Sequence, residues 1–333
     1  MASRFQAGVH NAVSVCLGIG DSDRVVIVED RATAEIAEAI ATEAAGVAAA
    51  VHRFVIEDQA RRPLTAMPKQ FGDAIREAAP TASFFIGGQM PNEIHFRQEL
   101  IKLLTEELRC RHGHMVGIER RLMTDGMAGD YNEIFRVTRA VYEAVRRASR
   151  IEVRSRLGTE LVATFDPNLA WVPCDGRYLE QGRWGNLPEG ETYTAPAAVD
   201  GVIAGEEMGD YFAARYGLFD PPVRMRIEAG WLADFDAAGN DTLGADIAQY
   251  VDSHPNSRRV GEFAIGTNVG LSNIVGNFLQ DEKFPGVHIA FGDPYGHLTG
   301  AGWECPTHVD VLTSNTDVVV DGRQVMAGGR FVI

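Results

Sequence analysis

Apolar and polar positions follow two rhythms along this chain, and the change between them falls near its middle. Over the first 150 residues, short β-branched runs alternate with stretches of helical period. The run 24-RVVIVED-30 is almost continuously apolar and ends in acid, which predicts a strand buried on both faces of a parallel sheet. The Ala/Glu-rich 32-ATAEIAEAIATEAAG-46 follows as a helix closed by glycine. Further strands are predicted over 48–56 and 82–88, and further helices over 69–78 and 93–108. This alternation predicts a parallel sheet with helices packed on its faces. Residues 124–150 read as a loop and an amphipathic helix linking two halves. Beyond them Gly and Pro are frequent, strands are short, and helical period returns only over 241–253. The end, 316-TDVVVDGRQVMAGGRFVI-333, reads as a hairpin turning at Asp-Gly. The expected fold class is α/β: a parallel-sheet α/β domain over residues 1–150, then a β-rich α+β domain over 151–333.

Composition narrows the function classes. The chain has 333 residues and a formal net charge of −15, which argues against nucleic acid or an anionic membrane surface as partner. The basic run 145-VRRASRIEVRSR-156 alternates with apolar residues and reads as a solvated helix face running into a strand. Four scattered cysteines (Cys16, Cys110, Cys174, Cys305) without a CxxC pair fit reduced thiols in a cytoplasm. No apolar run is long enough to span a bilayer, and the start lacks an export pattern, so a cytoplasmic protein is expected. The glycine-rich 18-GIGDSD-23 precedes the first strand instead of following it, which makes it a turn and not a nucleotide loop.

The candidate chemistry lies in the second half. Three of the nine histidines fall within 286-GVHIAFGDPYGHLTGAGWECPTHVDVL-312. In 308-HVD-310, residues two apart on a strand share a face, so His308 and Asp310 can address one point. Alone, the pair is more often a strand cap beside an exposed acid. His288 sits in the apolar run 286–292, where a histidine is either a satisfied core residue or a ligand. A loop returning the chain beside itself would join His288 to His308 and Asp310. Glu191 and Glu262 adjoin glycines at strand entrances, and Glu282 lies in a solvated-looking turn. Three glutamates, two histidines and an aspartate suffice for two divalent ions sharing a carboxylate. The 111-RHGH-114 stretch reads as a helix end without an acid partner. His297 can line a pocket or donate a proton.

The order GNLPEGE…TAP, GEFAIGTN, DEK…HIAFGDPYG, HVD and a terminal VDG hairpin resembles the metallopeptidase family of aminopeptidase T and aminopeptidase S. The resemblance is close from Gly185 onward and extends to the first half only as α/β texture. It implies metal ligands at Glu191, Glu262, Glu282, His288, His308 and Asp310, and an active-site tyrosine at Tyr295. Glu282 stands one residue farther from His288 than the family pattern places it. The implied activity is hydrolysis of a short peptide by metal-activated water, with two zinc, cobalt or manganese ions in a homodimer. Glu262 would then relay a proton to the leaving amine, and Tyr295 would steady the oxyanion. The related 2,5-dihydroxypyridine 5,6-dioxygenase branch implies an alternative. There one iron(II) on His288, His308 and Asp310 opens a hydroxylated pyridine ring, with Tyr295 or His297 as acid or base. A metal-free binding protein that kept the fold is a third reading. Glu191 and Glu262, which a one-iron site does not require, weigh toward the hydrolase.

Overall fold

The structure is a computed structural model that describes residues 3–90, 92–209 and 211–333. The chain forms two compact units, Met1–Asn132 with Gly176–Glu189, and Glu133–Asp175 with Gly190–Ile333. Residue 150, where the sequence pattern changes, therefore falls inside the second unit. The reason is the helix Tyr131–Val145, whose Val137, Val141 and Val145 join that unit's core at helical spacing.

The first unit is built on a five-stranded parallel sheet in the order Ala50–Val55, Arg24–Glu29, Ala82–Gly87, Arg111–Val116, Trp184–Asn186. Val25, Val26, Ile27 and Val28 are all fully buried, as are Phe84, Phe85 and Ile86. Their continuous apolar runs are what a sheet covered on both faces requires. Phe71 and Ile75 of helix Lys69–Ala78, and Phe96 and Leu100 of helix Ile94–Lys102, pack on Val26, Val28 and Phe85. Each such side chain contributes roughly 1.5–3 kcal/mol on burial.

Two elements here differ from the sequence reading. A helix over Arg4–His10, capped by the Ser3 side chain accepting from the Gln6 amide, continues as a π-helical turn over Asn11–Cys16. The 111-RHGH-114 stretch opens the strand Arg111–Val116 instead of closing a helix. Its histidines are satisfied internally: His112 Nδ1 lies 3.0 Å from Ser83 Oγ, and its Nε2 lies 3.2 Å from His114 Nδ1. Burial holds His112 down to about 3, so it stays neutral and structural.

The second unit holds two antiparallel sheets. Eight strands run in the order Trp231–Asp236, Val223–Glu228, Ala198–Gly205, Glu160–Thr164, Arg150–Ser155, Thr316–Val320, Arg323–Ala327, Arg330–Phe331. The expected closing hairpin is present, with Asp321 and Gly322 both at positive φ in its turn. The other sheet runs Glu207–Met208, His308–Ser314, Gly286–Gly292, Val260–Gly266, Glu191–Thr194, Val172–Cys174. Alternate residues of its central strands (Phe263, Ile265, Val287, Ile289, Phe291, Val309, Val311) enter one apolar core with Ile151, Val153, Val199 and Ile203 of the eight-stranded sheet. The fold is thus α/β, a parallel-sheet unit with an antiparallel, β-rich one. Among the described residues no helix is long and apolar enough to cross a membrane, and Cys16, Cys110, Cys174 and Cys305 form no disulfide.

Candidate metal centre

The register of the six-stranded sheet decides which residues meet. Glu262 pairs with Ala290, which pairs with Asp310 on its other side. Ala264 pairs with His288 and with Tyr193, while Gly266 pairs with Glu191 and Gly292 with His308. Directly paired residues point to the same face, and so do residues two apart. Glu191, Tyr193, Glu262, His288, His308 and Asp310 therefore share the face opposite the apolar core. The positions between them are small: Ala264, Ala290, Gly266 and Gly292. Both glycines are obligatory. A Cβ on Gly266 would stand 2.0 Å from the Phe284 carbonyl oxygen, and Gly292 has φ +114° with a Cβ position 2.1 Å from the Thr307 carbonyl oxygen. Alternation thus leaves polar side chains around a floor too flat to fill the space they surround.

The polar atoms converge. His288 Nε2 lies 3.3 Å from Glu191 Oε2 and 3.4 Å from Glu262 Oε1. His308 Nε2 lies 3.7 Å from Glu262 Oε2 and 3.4 Å from Asp310 Oδ1. Three overlapping sets, Glu191–Glu262–His288, Glu262–His308–Asp310 and Glu282–His288–Asp310, each bring ligand atoms within 4.8 Å of one another. His308 donates from Nδ1 to the Asp293 carbonyl oxygen at 2.9 Å, which fixes the ring and turns Nε2 toward the carboxylates.

The donor set fits a cation. Glu191 Oε2 and both ring nitrogens of His288 are buried without a hydrogen-bond partner. Orphaned polar atoms of that kind are costly in a protein interior unless something supplies the missing contact. Imidazole and carboxylate together suit zinc, iron(II), manganese or cobalt.

Electrostatics follow from this crowding. Burial opposes charge on His308, but Asp310 and Glu262 outweigh it and raise its pKa to about 10. His288 is raised well above the usual imidazole range, with Glu191 and Glu262 outweighing its burial. Burial lifts Glu262 above the ordinary carboxyl value, with the two histidines acting against it. Glu191 moves the other way: burial is overcome by the Lys283 ammonium and by His288, holding its carboxyl at about 2.

Each residue singled out in the sequence can now be located. Glu191, Glu262, Glu282, His288, His308 and Asp310 form one cluster. Glu282 is not in a solvated turn, because its side chain is only 15% exposed and it accepts from Lys283. The Tyr295 ring packs on His308 at 4.6 Å between centroids and on Tyr193 at 5.9 Å. Its backbone at φ +48° delivers the ring to that position. His297 lies outside the cluster, exposed, in the wall of a cleft of about 960 Å³ shared with Asp293, Trp303 and Glu304. Three neighbours were missed. Tyr193 was legible as the residue two beyond Glu191 on one strand face. Lys283 and the Asp293 carbonyl carry no sequence signal of their own.

Comparison with known proteins supplies a family and a fold. A sequence model of the thermophilic metalloprotease (M29) family matches residues 121–322, starting well before Gly185. Two solved structures share the fold over nearly all of the chain. Wild-type AmpT from Thermus thermophilus is 19% identical with a TM-score of 0.70, covering 99% of both chains. The 2,5-dihydroxypyridine dioxygenase of Pseudomonas putida KT2440 is 15% identical with a TM-score of 0.67, covering 100% of this chain and 98% of that one. At such identities the structures establish the fold and leave the reaction to the site. No curated protein matches the sequence. The family match spans well over half of the chain and includes all six clustered side chains. This chain therefore belongs to the thermophilic metalloprotease (M29) family, a family of metal-dependent peptidases.

Proposed function

We propose that this protein hydrolyses an amide bond of a short peptide or similar small substrate, with water activated by a divalent cation. The observation that carries the proposal is the position of Glu262. Its two oxygens face the two histidines on a buried sheet face, and burial raises its proton affinity. When bound, a zinc, cobalt or manganese ion lowers the pKa of a water and polarises a carbonyl. His288, His308 and Asp310 would hold it. Glu262 takes the proton of the attacking water and returns it to the leaving amine. Burial, with Glu262 and Asp310 adding to it, keeps the Tyr295 hydroxyl protonated far above its ordinary range. It is therefore a hydrogen-bond donor at every working pH, suited to an oxyanion. Asp293 and Glu304 in the adjoining cleft give a protonated amine two carboxylates to approach, and His297 stands in its wall. By resemblance we also propose a homodimer in the cytoplasm; light scattering tests the mass.

A second reading uses the same residues. His288, His308 and Asp310 make a set of two imidazoles and one carboxylate, the ligand type of non-haem iron(II) oxygenases. Ring cleavage of a hydroxylated pyridine would fit it, as in the solved dioxygenase of similar fold. The deciding experiment loads anaerobically purified protein with zinc, cobalt, manganese or iron(II). Each form is then offered leucine p-nitroanilide and, with oxygen, 2,5-dihydroxypyridine. Metal-dependent amide cleavage supports the hydrolase. Oxygen uptake without amide cleavage transfers the site to the second reading, and loss of neither substrate refutes both.

A further inference from the structure

Lys283 is 1% exposed and follows the short helix Phe278–Asp281. Its Nζ donates to Glu191 Oε1 at 2.5 Å and lies 2.7 Å from Glu282 Oε1. Its backbone is tied as well: its amide donates to the Gln280 carbonyl at 2.9 Å, and its own carbonyl accepts from the Asn268 amide at 2.8 Å. A long cationic side chain inside a protein interior persists only where carboxylates pair it. The two that do so are carboxylates expected from the resemblance to hold metal.

The seats conflict. A divalent ion lies about 2.0–2.2 Å from its carboxylate oxygens. An ion bridging Glu191 and Glu282 would therefore take the space that the ammonium fills. Like charges in such proximity repel strongly in a low-dielectric interior. The remaining donors, His288, His308 and Asp310, are those proposed above to hold one ion with positions left open to water, beside Glu262 as base. We propose that the Lys283 ammonium takes the place of a second metal ion, so that the centre binds one divalent cation per chain. The amine holds Glu191 and Glu282 in position and offsets part of their negative charge, but it supplies no Lewis acid. Activation of water then falls to a single ion working with Glu262.

The inference rests on the metal-dependent reading and is independent of which reaction follows. Chelator-stripped wild-type protein is titrated with Mn²⁺, and bound metal is quantified by mass spectrometry alongside electron paramagnetic resonance. One equivalent with an uncoupled six-line spectrum is expected. Lys283→Ala, checked for folding by circular dichroism, opens the second seat and is expected to take up two equivalents with exchange-coupled lines. Two equivalents in the wild type would overturn the proposal while leaving the metal-dependent reading intact. No bound metal in the wild type would remove both. A folded Lys283→Ala that still stops at one equivalent would also overturn it. Should that variant fail to fold, the wild-type stoichiometry and spectrum decide alone.

Discussion

Loading the centre with metal at neutral pH must expel protons. In the metal-free protein His308 titrates at about 10, because Asp310 and Glu262 favour its charged form more than burial disfavours it. A metal ligand must be the neutral ring. At pH 7 a group with that pKa is neutral only about 0.1% of the time, so three decades of intrinsic affinity, about 4 kcal/mol, go into removing one proton. His288, shifted in the same direction, adds a second proton. Apparent affinity should therefore rise at least ~10-fold per pH unit between pH 7 and 9, and toward ~100-fold if both rings discharge. Calorimetric titration with Zn²⁺ in two buffers of different ionisation enthalpy reads the protons directly, and about two per ion are expected. His308→Gln should lower the count by about one. An affinity that is flat with pH, with heats independent of buffer, would mean that the histidines are not displaced by the metal.

Four further outcomes follow. The metal-free protein should melt at lower temperature at pH 9 than at pH 6. Raised values give stability that is complete below the unfolded pKa and lost as pH climbs through the folded one. His308 at about 10, Glu282 lifted by burial to about 8 and Glu207 lifted by burial to about 10 all act in that direction. Glu191, held at about 2, is ionised throughout that window and does not oppose the trend; a scanning-calorimetry series that rises with pH would contradict it. Glu262→Gln should keep the fold and reduce kcat by roughly 10²–10⁴-fold, read by steady-state kinetics on the substrate found active. Tyr295→Phe should reduce kcat by about 10–10³-fold with KM little changed, whereas a change confined to KM would make the ring a wall and not a donor. Ala290→Leu should abolish metal uptake by filling the floor between Glu262 and Asp310, at a cost of about 1–3 kcal/mol in a denaturant melt.

Much of this was legible in the sequence, and the exceptions share a cause. The parallel strands announced themselves because a sheet covered on both faces needs unbroken β-branched runs, as in Val25–Val28. The convergence of the acidic and imidazole side chains was legible because strand alternation sets His308 and Asp310 on one face, and the resemblance to a family supplied the other positions. What could not be read depends on partners distant in sequence. The start of Arg111–Val116 read as a helix end, since nothing nearby shows that Ser83 and His114 satisfy His112. Lys283 sat in a stretch, 281-DEKFPG-286, that reads as a surface turn. It is buried because Phe284 and Glu282 close on Gly266, where even a Cβ would collide with their carbonyls. The first helix is a different case: Ser3 followed by Gln6 is a capping signature and was there to be seen.

The central claim is that one face of the six-stranded sheet is a cation seat. Anomalous diffraction from a crystal soaked in Zn²⁺ and collected at the zinc edge tests it most directly. A peak is expected within bonding distance of His288 Nε2, His308 Nε2 and an Asp310 oxygen, beside Glu262 and away from Lys283. A loaded crystal with its peak elsewhere, and these side chains still paired only with each other, would contradict it.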